Sequence, residues 1–138
     1  GVARAAAGLI LDPMDSAWKG FALETWLLHE VRAYNAYSKK NRPLFFYRTG
    51  AGVEVDLIVE TRKKTMSVRP EIVCVEMKNS TRWDRAWEKP ARALKAEQKI
   101  NVRAMYGVYR GDRRMNNDGF EVIPVEEFLR DLHAGRIF

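Results

Sequence analysis

Two apolar runs, residues 53–59 and 72–78, constrain the fold most, because each of them contains charged side chains. In the first run every second residue is apolar, and this period of two predicts a β-strand. One face of that strand carries Val53, Val55, Leu57 and Val59, and the other face carries Glu54, Asp56 and Ile58. The second run places Glu76 and Lys78 on one face. We therefore expect an antiparallel hairpin in which Asp56, Glu76 and Lys78 meet at one end of a sheet.

These charges have two interpretations. A carboxylate inside an apolar strand is costly unless it is paired, so Asp56 and Glu76 require a partner. In the structural interpretation the partner is Lys78, or the charges lie on a solvated face of an antiparallel sheet. In the functional interpretation the carboxylates hold a divalent metal ion beside a charge-stabilising lysine.

The length and composition of the chain are those of one folded domain. Its 138 residues include 46% hydrophobic residues, which is enough for a single core. We expect residues 16–138 to form that domain and residues 1–15 to be a lead-in from a missing upstream region. The formal charge of +6 and the pI near 9.6 favour an anionic partner such as nucleic acid.

Several classes of function lack their signatures in the sequence. The single cysteine, Cys74, excludes an internal disulfide, and no Cys/His cluster indicates zinc, so we expect a reducing cytoplasm. No apolar run is long enough for a membrane-spanning helix, so we expect no membrane contact. The chain has no Walker GxxxxGK[ST] loop, no GxGxxG motif and no GxSxG elbow. We therefore expect no nucleotide site and no serine-hydrolase chemistry within it.

The order of predicted elements indicates an α/β fold with a mixed sheet and flanking helices. A long helix is predicted from Asp15 or Ser16 to Ser38, and it carries Glu24. The other predicted elements are strands 44–48, 53–60 and 71–77, a helix at 82–99 capped by Thr81 and Asp84 and interrupted by Pro90, strands 102–109 and 120–123, and a helix from Pro124 to Gly135. Residues 110–119 are predicted to be a charged loop.

Basic side chains at helical spacing on the second predicted helix are candidates for contact with a nucleic-acid backbone. The candidates are Arg85, Lys89, Arg92 and Lys99, together with Arg48 from the first strand. A solvated helical face explains the same pattern. The basic hairpin tip at 62–64 is likewise either a phosphate contact or a solvated charge run.

The segments KGFALE, VD and EMK carry a resemblance to the PD-(D/E)XK nuclease superfamily, and this resemblance covers residues 16–110. It implies a restriction-endonuclease-like fold with an α-β-β-β-α-β core. It also implies that Glu24, Asp56 and Glu76 hold Mg²⁺ or Mn²⁺. Lys78 would then orient or activate the attacking water.

A narrower resemblance concerns the segments GFALETWLLHEV, FFYRTGAGVEVDLIV, VCVEMKNS and IPVEEFL. They are similar to the C-terminal domain of unknown function that follows an AAA+ ATPase module in many prokaryotic ATP-binding proteins, which implies an upstream ATPase domain as a partner. The predicted function is therefore metal-dependent hydrolysis of DNA phosphodiester bonds. The main alternative is a catalytically silent module that binds nucleic acid or protein and regulates the ATPase. A domain for homo-oligomer assembly is a third possibility.

Overall fold

The computed structural model describes the backbone of residues 16–48 and 54–138, with side-chain surroundings for residues 22–47 and from 54 onward. The predicted lead-in at 1–15 and residues 49–53, between the first two predicted strands, lie outside the described residues. Within the described ranges, no helix has both the length and the apolar character that crossing a membrane requires.

The helices and strands follow the predicted order with two differences, a shorter second helix and an additional strand. The elements are α1 (Ser16–Tyr37), β1 (Leu44–Arg48), β2 (Glu54–Arg62), β3 (Glu71–Met77), a 3-10 helix (Arg85–Glu88), α2 (Lys89–Ala96), β4 (Asn101–Tyr109), β5 (Met115–Asn117), β6 (Phe120–Pro124) and α3 (Val125–His133). The predicted α/β class with a mixed sheet and flanking helices is confirmed.

One six-stranded sheet, in the order β1-β2-β3-β4-β6-β5, forms the centre of the fold. The first three strands are an antiparallel meander, whereas β3, β4 and β6 run parallel and β5 returns antiparallel. Because three neighbouring strands are parallel, their carboxyl ends at Met77, Tyr109 and Pro124 meet at one edge, which we call the carboxyl edge. Ligands of open α/β sheets bind outside such an edge.

The two faces of the sheet support separate hydrophobic cores. Leu27, Val31 and Tyr34 recur every three or four residues along α1, and they pack with α3 on one face. Ala91 and Leu94 of α2 pack on the other face. Full burial of one large apolar side chain contributes about 1.5–3 kcal/mol, so packing against the sheet holds the helices in place.

Strand β2 departs from the predicted period of two. Leu57 and Val59 pack in the core beneath α1, but Val55 packs in the core on the opposite face. The pairing of β2 with β1 sets one residue, Phe46, opposite the two residues Asp56 and Leu57. This is a β-bulge, which reverses the alternation of the side chains. The predicted face of Val55 was therefore wrong.

The helix predicted at 82–99 was wrong in its length, because a 3-10 helix precedes the shorter α2. Asp84, rather than Thr81, caps this pair of helices, since its carboxylate accepts a hydrogen bond from the N–H of Ala86 at 2.9 Å. Pro90 lies in the first turn of α2, where its missing N–H costs no helical hydrogen bond. Of the two effects expected of Pro90, a kink or a division of the helix, the structure shows a division, which falls between Glu88 and Lys89.

The segment predicted as a charged loop, 110–119, contains the additional strand β5. The turn that joins β5 to β6 has positive φ angles at both central residues, 51° at Asp118 and 91° at Gly119. Two such residues form the kind of turn that suits the twist of a two-stranded hairpin. The predicted loop is therefore partly a hairpin that extends the sheet.

Candidate active site

The bulge in β2 aims Asp56 at the end of β3. Its Oδ2 accepts a hydrogen bond from the backbone N–H of Met77 at 2.8 Å. The carboxylate thus takes the place of a main-chain acceptor beside β3, and it is only half-buried. This position at the carboxyl edge is a consequence of the extra residue in β2.

Glu76 and Lys78 lie side by side, as the two-residue spacing predicted. Glu76 is 5% exposed, and Nζ of Lys78 lies 3.5 Å from its Oε1. The backbone N–H of Lys78 donates to the carbonyl of Val108 at 2.9 Å, which holds the residue against β4. Nζ also lies over the ring of Trp87, 5.4 Å from its centre, in a cation–π contact. The ammonium is therefore fixed at the carboxyl edge.

The second oxygen of Glu76 is the exceptional atom of this group. Oε2 is buried, and no donor among the described residues forms a hydrogen bond with it. The pKa of Glu76 is raised to about 9, first by burial and then by the neighbouring Asp56 carboxyl, whereas Lys78 opposes the rise. Burial beside another carboxyl group therefore favours the neutral form of Glu76 near neutral pH.

Glu24 approaches the same group from α1. Its pKa is raised to about 7, first by burial and then by the negative charge of Asp56. The positive charge of Lys78 lowers it, and Glu54 adds a smaller increase. The carboxyl group of Glu24 is therefore within electrostatic range of Asp56 and Lys78.

The structure brings Asp56, Glu76 and Lys78 together, and the pKa of Glu24 responds to the charges of Asp56 and Lys78. These are the four residues that were predicted as the site, and we call them the carboxylate–lysine centre. Among the described side chains, no group of three or more His, Cys, Asp or Glu forms a preassembled set of metal ligands. The donor chemistry still fits a hard cation, because one buried carboxylate oxygen lacks a donor and two carboxyl pKa values are raised. The metal-binding roles of these residues stay predictions.

The basic residues predicted to contact nucleic acid do not form one helical stripe. Arg85 and Arg92 form ion pairs with acidic residues of the domain. Lys89 and Lys99 are exposed, and Lys99 lies beyond the end of α2. The side chain of Arg48 lies outside the described residues. Contact of these residues with nucleic acid stays a prediction.

Glu88, a buried carboxylate behind the centre, was not identified from the sequence. It is 1% exposed and accepts hydrogen bonds from Nε1 of Trp83 and Nδ2 of Asn117, both at 2.9 Å. Arg92 lies 2.7 Å from its Oε1. Trp83 meets Trp87 edge to face, with ring centres 5.1 Å apart, and Trp87 supports the lysine of the centre. The sequence feature that could have identified Glu88 is its spacing of four residues from Arg92, which is typical of an ion pair within a helix.

The fold and the site define the class of this protein as an α/β domain with a carboxylate–lysine centre at the carboxyl edge of a mixed sheet. The model of the family described as Domain of unknown function (DUF4143) matches residues 19–128, and the chain belongs to this family. The resemblance to a domain of unknown function is thereby confirmed, and its position after an ATPase module stays a prediction. Neither the curated proteins nor the solved structures gave a significant match.

Proposed function

We propose that this domain hydrolyses DNA phosphodiester bonds with a divalent metal ion, on a restriction-endonuclease-like α-β-β-β-α-β core of the PD-(D/E)XK kind. The observation that carries the proposal is the buried Oε2 of Glu76, which has no donor among the described residues and lies beside Asp56 and Lys78. An unsatisfied buried oxygen is costly, and strongly perturbed carboxyl groups cluster at functional sites.

Mg²⁺ or Mn²⁺ is the ligand that suits the centre. Asp56 and Glu76 would hold the ion through oxygen, with Glu24 completing the set from α1. When bound, such an ion polarises the scissile phosphate and makes water a better nucleophile. The three carboxylates and one ammonium carry two excess negative charges when ionised, and a divalent cation balances this charge.

Lys78 is the residue that acts on the attacking water and on the charge of the transition state. Its salt bridge to Glu76 and its contact with Trp87 fix the ammonium, while the side chain keeps 32% of its surface exposed. A fixed ammonium donates a hydrogen bond to water or to a phosphate oxygen. It also stabilises the negative charge that develops on the phosphate oxygens, without any rearrangement during the reaction.

Charge-removing substitutions test this function. Cleavage of DNA is measured in Mg²⁺ and in EDTA for the wild type, Asp56→Asn and Lys78→Ala. We expect each variant to lose about 10²–10³-fold in rate, the usual cost of losing one group that stabilises transition-state charge. Glu97→Gln and Lys95→Ala remove the same charges from exposed positions near the end of α2, and they should cleave like the wild type. Wild-type rates in Asp56→Asn or Lys78→Ala would refute the assignment.

Calorimetric titration with Mg²⁺ supplies a second readout. A cation must displace the protons of Glu24 and Glu76, whose pKa values are raised to about 7 and about 9. Affinity should therefore increase as the pH rises through this range, with protons released on binding. Binding that does not change with pH would contradict the role of these two carboxyl groups.

The alternative function is a catalytically silent cytoplasmic module that binds nucleic acid or protein and regulates an attached AAA+ ATPase. The observation in its favour is that the described side chains include no preassembled set of three metal ligands. A wild-type protein that binds DNA but neither Mg²⁺ nor Mn²⁺ would decide for this alternative. Association into homo-oligomers without DNA affinity would decide for an assembly role.

A further inference from the structure

A cleft of about 560 Å³ opens at the carboxyl edge, the same edge of the sheet that carries Glu76 and Lys78. Leu23 and Trp26 of α1 line one part of it, and Pro124 and Val125 line another part, where β6 passes into α3. Residues 110–112, which follow β4, and the acidic residues Glu126 and Glu127 of α3 also line it. The volume is that of pockets that bind small organic groups, and the position is the usual one for ligands of α/β sheets.

The cleft and the centre share their supporting residues. Glu24 directly follows a residue that lines the cleft. Arg110, which also lines it, donates from Nη1 to Oδ1 of Asn79 at 2.8 Å, and Asn79 directly follows Lys78. The backbone N–H of Arg110 donates to the carbonyl of Ser80 at 2.8 Å. The segment that follows Lys78 and one wall of the cleft are therefore joined by hydrogen bonds at the carboxyl edge.

Trp26 gives the cleft an aromatic surface. Its side chain is large and apolar, yet the residue is 45% exposed. Isolated exposed aromatic residues are common, but this one lines a concave site together with Leu23 and Val125. A flat aromatic ligand stacks well on such a surface, and nucleic-acid bases stack on exposed tryptophans in this way.

The charges of the cleft select against a phosphate inside it. Among the described residues that line the cleft, Asp112, Glu126 and Glu127 are acidic and Arg110 is the one basic residue, so this part of the lining is negative. Carboxylates accept hydrogen bonds from the exocyclic amino groups of cytosine and adenine, and thymine has no such group. A base is neutral and can carry these donors, so it matches the cleft where a phosphate does not.

We propose that the cleft binds one unpaired base, cytosine or adenine, of a single-stranded segment whose backbone phosphate lies at the centre. This inference rests on the proposed function, because it assigns the substrate of the same centre. Trp26 stacks on the base, and Glu126 or Glu127 accepts a hydrogen bond from its amino group. Arg110 lies at the rim and is positioned for the adjoining phosphate.

Binding in EDTA tests the base preference without cleavage. Fluorescence anisotropy is measured with labelled oligo-dC, oligo-dA, oligo-dT and a DNA duplex. The wild type should bind oligo-dC and oligo-dA about tenfold more tightly than oligo-dT, the value of one well-formed contact to a base edge. The double variant Glu126→Gln, Glu127→Gln should reduce this ratio. Equal affinity for the three single strands, or tighter binding of the duplex, would overturn the inference.

Substitution of Trp26 tests the stacking. Trp26→Ala should weaken the binding of oligo-dC about tenfold, the cost of losing one stacked base, and Trp26→Phe should keep most of the affinity. Tyr37→Ala is the matched control, because Tyr37 is an aromatic residue at the far end of α1 with 59% exposure, and it should bind like the wild type. Unchanged affinity in Trp26→Ala would overturn the inference. A base preference without cleavage in Mg²⁺ would overturn only the proposed hydrolysis, and cleavage without a base preference would overturn only the base site.

Discussion

Replacement of Glu88 by alanine should strongly destabilise the domain, although this residue lies outside the carboxylate–lysine centre. Burial disfavours the ionised form of Glu88, but hydrogen bonds from Arg92, Asn117 and Trp83 outweigh this effect and hold its pKa below the ordinary value of 4.5. The carboxylate is therefore charged at neutral pH. It ties the 3-10 helix, α2 and β5 together.

The magnitude follows from the partners that the substitution leaves behind. The indole N–H of Trp83 and the amide of Asn117 lose their acceptor, and because both residues are only half-buried, each loss costs toward the lower end of about 1–3 kcal/mol. Arg92 is 32% exposed, so water replaces part of its lost interaction. Breaking a buried ion pair from one side costs about 3–5 kcal/mol in total, and we expect Glu88→Ala to lower the free energy of unfolding by about that amount. Glu88→Gln should cost less, because its amide oxygen still accepts a hydrogen bond.

Urea unfolding followed by circular dichroism measures these changes. Because the folded pKa of Glu88 is lowered, its charge contributes fully above the unfolded value of 4.5, and the contribution is lost as the pH falls below it. The wild type should therefore lose more stability in acid than Glu88→Gln. Glu97→Gln, an exposed control, should change the unfolding free energy by less than about 0.5 kcal/mol. A loss below about 1 kcal/mol in Glu88→Ala would refute the reasoning, since it would fall short of a broken buried pair.

Two further predictions concern the packing and the protonation of the sheet. The raised pKa of Glu76 means that the folded, metal-free protein binds more protons than the unfolded chain between pH 4.5 and about 9, so wild-type stability should fall as the pH rises through this window. Glu76→Gln should remove this part of the decline. If urea unfolding showed the same change of unfolding free energy with pH in the wild type and in Glu76→Gln, the assignment would be contradicted. A Cβ atom at Gly107 would lie 2.7 Å from Cζ2 of Trp83 and 2.9 Å from Cε1 of Phe120, so Gly107→Ala should cost about 1–3 kcal/mol. An unchanged thermal midpoint would show that both rings move aside freely.

Local apolar spacing was enough to locate α1, β1 and β3, because each pattern lies within one segment of the chain. The bulge at Asp56 was not predictable in this way, since it depends on how β2 pairs with Phe46 of β1. Strand β5 was missed because its residues are polar and it forms only by folding back at Asp118 and Gly119. Structural features that depend on a partner strand were therefore not predicted, whereas features that depend on the residues of one segment were predicted.

The residues of the candidate site were likewise predictable only where the evidence for them lies within one segment of the chain. The spacing of Glu76 and Lys78 predicted their contact directly, because side chains two residues apart share a face of a strand. Glu24 was predicted as a site residue only from the resemblance to a nuclease superfamily, since a lone carboxylate on a helix has no distinguishing sequence pattern. The network of Glu88 joins it to Asn117, 29 residues further on, and no local rule links such a pair.

The two interpretations of the strand carboxylates make opposite predictions about proton affinity, and the chain contains examples of both behaviours. Glu88 and Asp131 are buried carboxylates, and hydrogen bonds from arginines outweigh burial and lower their pKa values, as a structural ion pair requires. Glu76 is buried to a similar degree and has Lys78 beside it, yet burial and the adjacent Asp56 raise its pKa to about 9. One lysine does not compensate the charge of this centre, so a purely structural salt bridge leaves the cost of Glu76 unexplained. A positive ligand that binds the free oxygen would remove that cost, and this makes the response to a divalent cation the decisive property of the centre.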